Sequence, residues 1–155
     1  LIYDAHIMTG VAGKGRGMEN AEALAQFLNR TNPAHVVNFS MFLHKEVSLY
    51  QDIRQGTFVP ADELETIREE YHLIERIAPE KAGANILYDG FHDFIHVRVR
   101  GHLPGDKEKM LAKLNGIIRE YEGKEPVYSF VQGECPDLEY CDDGKAVWDM
   151  DRKTS

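Results

Sequence analysis

The chain has little of what most often marks a functional site. Only two cysteines occur in 155 residues, Cys135 and Cys141, with five residues between them. That spacing fits neither a disulfide scaffold nor a four-thiolate zinc site nor a redox Cys-x-x-Cys pair, so ordinary thiols in a reducing cytoplasm are expected. No apolar run approaches the roughly 18 to 20 residues that cross a bilayer, and no charged leader with an apolar core precedes the first strand-like run. An excess of cations is also missing. The formal net charge is −8, whereas strong affinity for a nucleic-acid backbone needs clustered Lys and Arg. No Ser stands in a nucleophile elbow, no Ser or Thr follows a Gly-Lys pair to close a phosphate loop, and no Glu follows His92 to complete a zinc-protease pair. The initiator Met is absent as well. Leu1-Ile2-Tyr3 already reads as strand, and a fragment or a trimmed chain is expected.

What is present is the composition of one globular domain with a real core, 43% apolar and 28% charged. A strand-like run from Ile2 to Val11 ends in the loop Gly13-Lys14-Gly15-Arg16-Gly17, which continues neither strand nor helix easily. Ala21, Leu24, Ala25 and Leu28 then recur at helical spacing, predicting a helix from about Met18 to Arg30 that Asn32-Pro33 stops. His35 to Leu43 is short, aromatic and β-branched, as a buried strand is. Ser48 to Gly56 fits a short helix. Leu64, Ile67, Tyr71, Ile74 and Ile77 fit a longer one over about Ala61 to Ile77. Ala84 to Tyr88 is a third strand, ended by the turn pair Asp89-Gly90. Asp106 opens a last helix with Met110, Leu111, Leu114, Ile117, Ile118 and Tyr121 on one face. Pro126 to Val131 is a further strand candidate, and the tail beyond it is acidic. Strands alternating with helices imply an α/β fold with parallel strands and function at their carboxyl ends.

Three constellations could carry chemistry. The Gly13–Gly17 loop, with Lys14 and Arg16, sits between a strand and a helix where an anion or nucleotide can bind. His92 and His96 stand four apart with Asp89 and Asp93 nearby, so Asp89, His92 and His96 are candidate ligands for a metal-dependent hydrolase if that segment is helical. Arg98 and Arg100 alternate with Val97 and Val99, giving a small basic edge. His6, His35, His44, His72 and His102 are scattered and read as packing or surface residues.

Taken in order, three blocks resemble one family, the radical S-adenosylmethionine proteins of the Fe-S oxidoreductase type. Met8-Thr9-Gly10-Val11-Ala12-Gly13 through Ala21 looks like the family's strand, Gly-x-x-Gly turn and Glu-rich helix start. Leu49-Tyr50-Gln51-Asp52-Ile53-Arg54-Gln55-Gly56-Thr57-Phe58 matches its Leu-Tyr-x-x-Ile/Val-x-x-Gly-x-Phe segment. Gly101-His102-Leu103-Pro104-Gly105-Asp106-Lys107 through Leu111 resembles its Gly-x-Leu-Pro-x-Asp-Lys run. The resemblance implies a partial (β/α) barrel over residues 1–121, an open parallel sheet with helices on the outer face, followed by a C-terminal extension over 122–155. It implies a parent enzyme that uses a 4Fe-4S cluster and S-adenosylmethionine. The Cys-x-x-x-Cys-x-x-Cys loop that holds such a cluster is not in this sequence, so the cluster belongs to a missing N-terminal half and this chain is expected to be inactive alone. Thr9, Gly10, Val11, Ala12, Met41 and Phe42 are then the expected contacts to the adenosine, and Asp89 and His92 the candidates for touching substrate. A cut barrel also exposes an unpaired edge and an apolar face, so self-association is expected.

Overall fold

A computed structural model describes residues 2–131. Cys135, Cys141 and the acidic tail lie outside the described residues. The order is β1 (Asp4–Thr9), α1 (Gly17–Thr31), β2 (His35–Ser40), α2 (Ser48–Gln55), α3 (Glu63–Arg76), β3 (Ile86–His92), β4 (Val97–Leu103) and α4 (Lys107–Tyr121), with a single 3-10 turn at Asp93–Ile95. The strands form one sheet in the order β1-β2-β3-β4. The first two pairings are parallel and the last is antiparallel.

Alternation along the strands decides which face is covered. Ala5, Val36, Ile86, Tyr88, Val99 and Leu103 point to one face and form a single core with Ala21, Ala25 and Leu28 of α1, Ile67, Leu73 and Ile74 of α3, and Met110 and Leu114 of α4. Most positions of the helical stripes read from the sequence pack here, but Leu64 and Tyr121 stay out of this core and Leu73, outside the stripe read for α3, is fully buried in it. The opposite face carries Met8, Val37, Phe39, Leu87 and Phe91, all only half-buried, and no described helix covers it. A smaller cluster of Leu43, Tyr50, Ile53 and Phe130 seats α2 beyond the carboxyl end of β2.

Three expectations need correction. The sheet is mixed, because β4 returns antiparallel after a three-residue 3-10 turn and His96 in the left-handed conformation, φ 54°; the alternation Val97-Arg98-Val99-Arg100 belongs to a strand. β3 does not stop at Tyr88 but runs through Asp89-Gly90 to His92. Gly90 serves a close approach instead of a turn, since a Cβ there would collide with the Glu70 carboxylate. The segment around Val131 forms no strand, only one parallel bridge between Phe130 and Leu43. Its backbone is nonetheless held, with the Leu43 N–H on the Ser129 carbonyl at 2.7 Å and the Glu63 N–H on the Val127 carbonyl at 2.8 Å.

Candidate functional site

The carboxyl ends of the three parallel strands lie against the N-terminal half of α3. That helix starts at an Asp62 cap, whose carboxylate accepts the Glu65 N–H at 2.8 Å. Three of its glutamates, Glu63, Glu69 and Glu70, are then fully or almost fully buried. Burying a carboxylate is costly unless its lone pairs are occupied, and here each is. Glu70 Oε1 accepts from Tyr88 Oη at 2.9 Å and from Asn38 Nδ2 at 3.0 Å, while its Oε2 faces His92 Nε2 at 3.0 Å. Glu63 accepts from Ser40 Oγ at 2.8 Å and Thr66 Oγ1 at 3.2 Å, and its Oε2 faces His92 Nδ1 at 3.0 Å. Glu69 accepts from Asn20 Nδ2 at 2.6 Å and from the Gly10 N–H at 2.9 Å.

His92, itself fully buried, therefore has a carboxylate on each ring nitrogen. Only imidazolium donates from both nitrogens, so this geometry calls for the charged ring. Burial alone lowers a histidine pKa, but the hydrogen bonds and charges of Glu63 and Glu70 outweigh it and raise the His92 pKa to about 10. Burial also pushes the Glu69 carboxyl up, against the opposing bonds of Asn20 and Gly10. It pushes the Tyr88 hydroxyl well up too, with the Glu70 charge adding to the effect. The result is a comb: one helix pins Gly10 just beyond β1, Asn38 and Ser40 on β2, and Tyr88 and His92 on β3. Comparison with family models, curated proteins and solved structures returns no match to this chain.

The residues named from the sequence divide among three places. Thr9 to Ala12 and Met41-Phe42 do meet, side by side, with the Met41 N–H on the Thr9 carbonyl at 2.9 Å. Thr9 and Gly10 are buried, Ala12 and Met41 half-buried, and Val11 and Phe42 exposed. Asp89 and His92 do not meet, because they sit an odd number of residues apart on one strand and point to opposite faces. Asp89 lies on the open face, where Arg98 donates to it at 2.8 and 2.7 Å and Arg100 stands 3.7 Å away. The Arg98 bonds hold its carboxyl below the ordinary carboxylate value. Beside it Phe39 and Phe91 stack at 5.3 Å, and the Arg98 guanidinium lies 4.8 Å over Phe91. His96 is exposed beyond the end of β3. Asp89, His92 and His96 thus do not converge, and among the described residues no group of three His, Cys, Asp or Glu side chains is arranged to hold a metal ion.

The glycine loop makes one wall of a cleft of about 280 Å³, opposite Glu65, Arg68, Glu69 and His72 of α3. Its amides are largely engaged: Gly13 N–H on the Gly10 carbonyl, Lys14 N–H on Val59 and Arg16 N–H on Gly13. The Arg16 side chain pairs with Glu19. With two carboxylates across the cleft, the loop is not arranged as a phosphate cradle. Glu63, Glu69, Glu70, Asn38 and Ser40 escaped the sequence reading. One signal was available for them: polar residues at alternate positions, Asn38 and Ser40, in a strand otherwise read as buried.

Proposed function

We propose that this chain is the C-terminal part of a radical S-adenosylmethionine protein of the Fe-S oxidoreductase type and supplies part of its cofactor and substrate wall. The observation that carries this reading is the one-sided sheet. Three parallel strands with α1 and α3 on one face and no described helix on the other resemble a section of a (β/α) barrel, with the antiparallel β4 and its α4 added at one edge. An open doubly wound sheet has helices on both faces. The face without a described helix then corresponds to the lumen, and the carboxyl ends of the strands to the mouth where ligands bind.

The strand ends suit an adenosine moiety. Val11, Met41 and Phe42 offer apolar surface at adjacent strand ends, and the neighbouring backbone is fixed by the Met41–Thr9 bond. The cluster and S-adenosylmethionine, held chiefly by the other half, supply the radical chemistry. The residues of this chain bind and position. Glu69 holds the Gly10 amide and Glu63 holds Ser40, so α3 fixes the two loops that would line the adenosine. Asp89, with Arg98 and Arg100, is the polar group on the lumen face and the candidate for substrate contact.

The test begins with the coding sequence upstream of Leu1, where a Cys-x-x-x-Cys-x-x-Cys motif in frame is expected. The full-length protein, reconstituted anaerobically with iron and sulfide, should then form 5′-deoxyadenosine under reducing conditions, while residues 1–155 alone should not. Robust formation of that product by this chain alone, or an upstream frame without the motif, refutes the reading.

A further inference from the structure

The two faces of the sheet meet at the free edge of β4, and there the molecule departs from its acidic average. A groove of about 400 Å³ runs between β4 and α4, lined by Arg98, Val99, Arg100, Lys109, Met110 and Lys113. Four of these six are cations and none is a carboxylate, in a chain of net charge −8. Asp89 neutralises Arg98 through two hydrogen bonds. It touches Arg100 only at 3.7 Å, so about three positive charges face the groove. Lys109 has no hydrogen-bond or ion-pair partner among the described residues.

The backbone adds a donor. The Arg98 carbonyl accepts from Lys113 Nζ at 2.5 Å, so it points away from β3. In an antiparallel ladder the residues with outward main-chain groups alternate, which turns both the Arg100 N–H and its carbonyl outward as well. Two positions further on, His102 has both outward groups taken, its N–H by Asp106 Oδ2 at 2.7 Å and its carbonyl by the Asp106 N–H at 2.6 Å. The edge is thus closed at both ends against an added strand. What stays open is a short window around Arg100, too small for a peptide strand, where one N–H and the surrounding cations can meet a compact anion.

Spacing points to the kind of anion. Arg98 and Arg100 lie about 7 Å apart along the strand, and Lys109 and Lys113 about 6 Å apart along α4. With Arg98 held by Asp89, the roughly three remaining positive charges, Arg100 at the strand edge and Lys109 and Lys113 on the helix, exceed the charge of about −2 that a single phosphate group carries. Arginine and a peptide N–H are also the donors that best match phosphoryl oxygens. We propose that the groove between β4 and α4 binds a diphosphate group, with Arg100, Lys109 and Lys113 as its charged ligands and the Arg100 N–H as its main-chain donor. This site shares Arg100 with the Asp89 pair on the open face, is separate from the carboxyl-edge loops and does not depend on the radical reading.

The experiment titrates inorganic pyrophosphate into the full 155-residue chain by calorimetry and by amide NMR, beside orthophosphate, ADP and adenosine. Saturable binding of pyrophosphate is expected, about tenfold or more tighter than orthophosphate, with the Arg100 amide among the shifted signals. ADP binding at least as tightly as pyrophosphate assigns the diphosphate to a nucleotide, and weaker ADP binding assigns it to the free ion; either supports the site. The double substitution Arg100→Gln and Lys109→Gln removes two charges from exposed side chains and leaves the Arg98–Asp89 pair in place, so the fold and melting temperature should hold while affinity falls by about tenfold or more. Three results overturn the proposal: no saturation in the low millimolar range, equal affinity for orthophosphate and pyrophosphate, or unchanged affinity in the double variant.

Discussion

The charged histidine between Glu63 and Glu70 makes stability depend on pH in a defined direction. His92 has an ordinary pKa of 6.5 in the unfolded chain and about 10 in the folded one, so between those values the folded state holds a proton that the unfolded state has released. Stability linked to that proton is fully present below pH 6.5 and is lost as pH rises toward about 10. At about 1.4 kcal/mol per pH unit, the interval corresponds to at most about 5 kcal/mol, a large share of the roughly 5–15 kcal/mol that holds a domain of this size together. Urea unfolding followed by far-UV circular dichroism at about pH 6, 7.5 and 9 should show the midpoint falling steadily, with an unchanged denaturant slope. Tyr88 does not interfere, because its hydroxyl is pushed well above its ordinary value and stays protonated over this range. His92→Gln should remove the slope and, by leaving two buried carboxylates without their cation, cost about 3–5 kcal/mol at neutral pH. Stability that is flat or rising between pH 6.5 and 9 in the wild type, or an imidazole NMR signal showing a neutral ring at about pH 8, refutes the assignment of His92 as imidazolium.

Three further outcomes follow from the same contacts. Glu70→Gln keeps the shape but replaces one acceptor oxygen by a donor facing Tyr88 and Asn38 or His92, so a loss of about 2–4 kcal/mol is expected in urea unfolding; a loss below about 0.5 kcal/mol counts against the buried network. Gly90→Ala drives a methyl into the Glu70 carboxylate and should lower stability by about 1–3 kcal/mol, whereas Gly116→Ala, with open space around it in a helix, should be neutral or stabilising by about 1 kcal/mol. The sheet face that no described helix covers should drive self-association: sedimentation equilibrium at high concentration should detect dimers or larger species, and Val37→Glu should shift them toward monomer. A strictly monomeric wild type argues against the missing-half reading.

Where the physics is local the sequence reading succeeds, and where it depends on a partner across the fold it fails. The helices α1, α3 and α4 follow from periodicity, β1 and β2 follow from runs of strand-forming residues bounded by glycine and proline, and Gly56 closes α2 in the left-handed conformation as its position implies. β3 was cut short because Asp89-Gly90 is a turn pair by local preference. Its role is set by Glu70, which is distant in sequence and reaches Gly90 only through packing. β4 is not legible locally because Arg98, Arg100 and His102 alternate on it, and the partner of the two arginines is Asp89 on the neighbouring strand. The comb is the hardest case. Glu63, Glu69 and Glu70 look like ordinary solvated helix residues until Asn38, Ser40, Tyr88 and His92 arrive opposite them, since only the assembled sheet supplies the donors that make their burial tolerable.

Asp89 and His92, nominated together from the sequence, end with different tasks because one strand turns them to opposite sides. His92 is enclosed, its charge set by two carboxylates at fixed distance, and nothing on the open face can reach it; its consequence is rigidity at the ends of β2 and β3. Asp89 faces the open side, where its two arginine partners are each about half exposed and can turn toward an incoming group with little loss, since exposed ion pairs hold little energy. A carboxylate whose cations can be drawn away suits a substrate-facing group, while a closed charge triad is a positioning device. On the proposed reading, Asp89 therefore belongs to recognition in the lumen and His92 to the scaffold that keeps the Gly10 and Met41 loops in register with it.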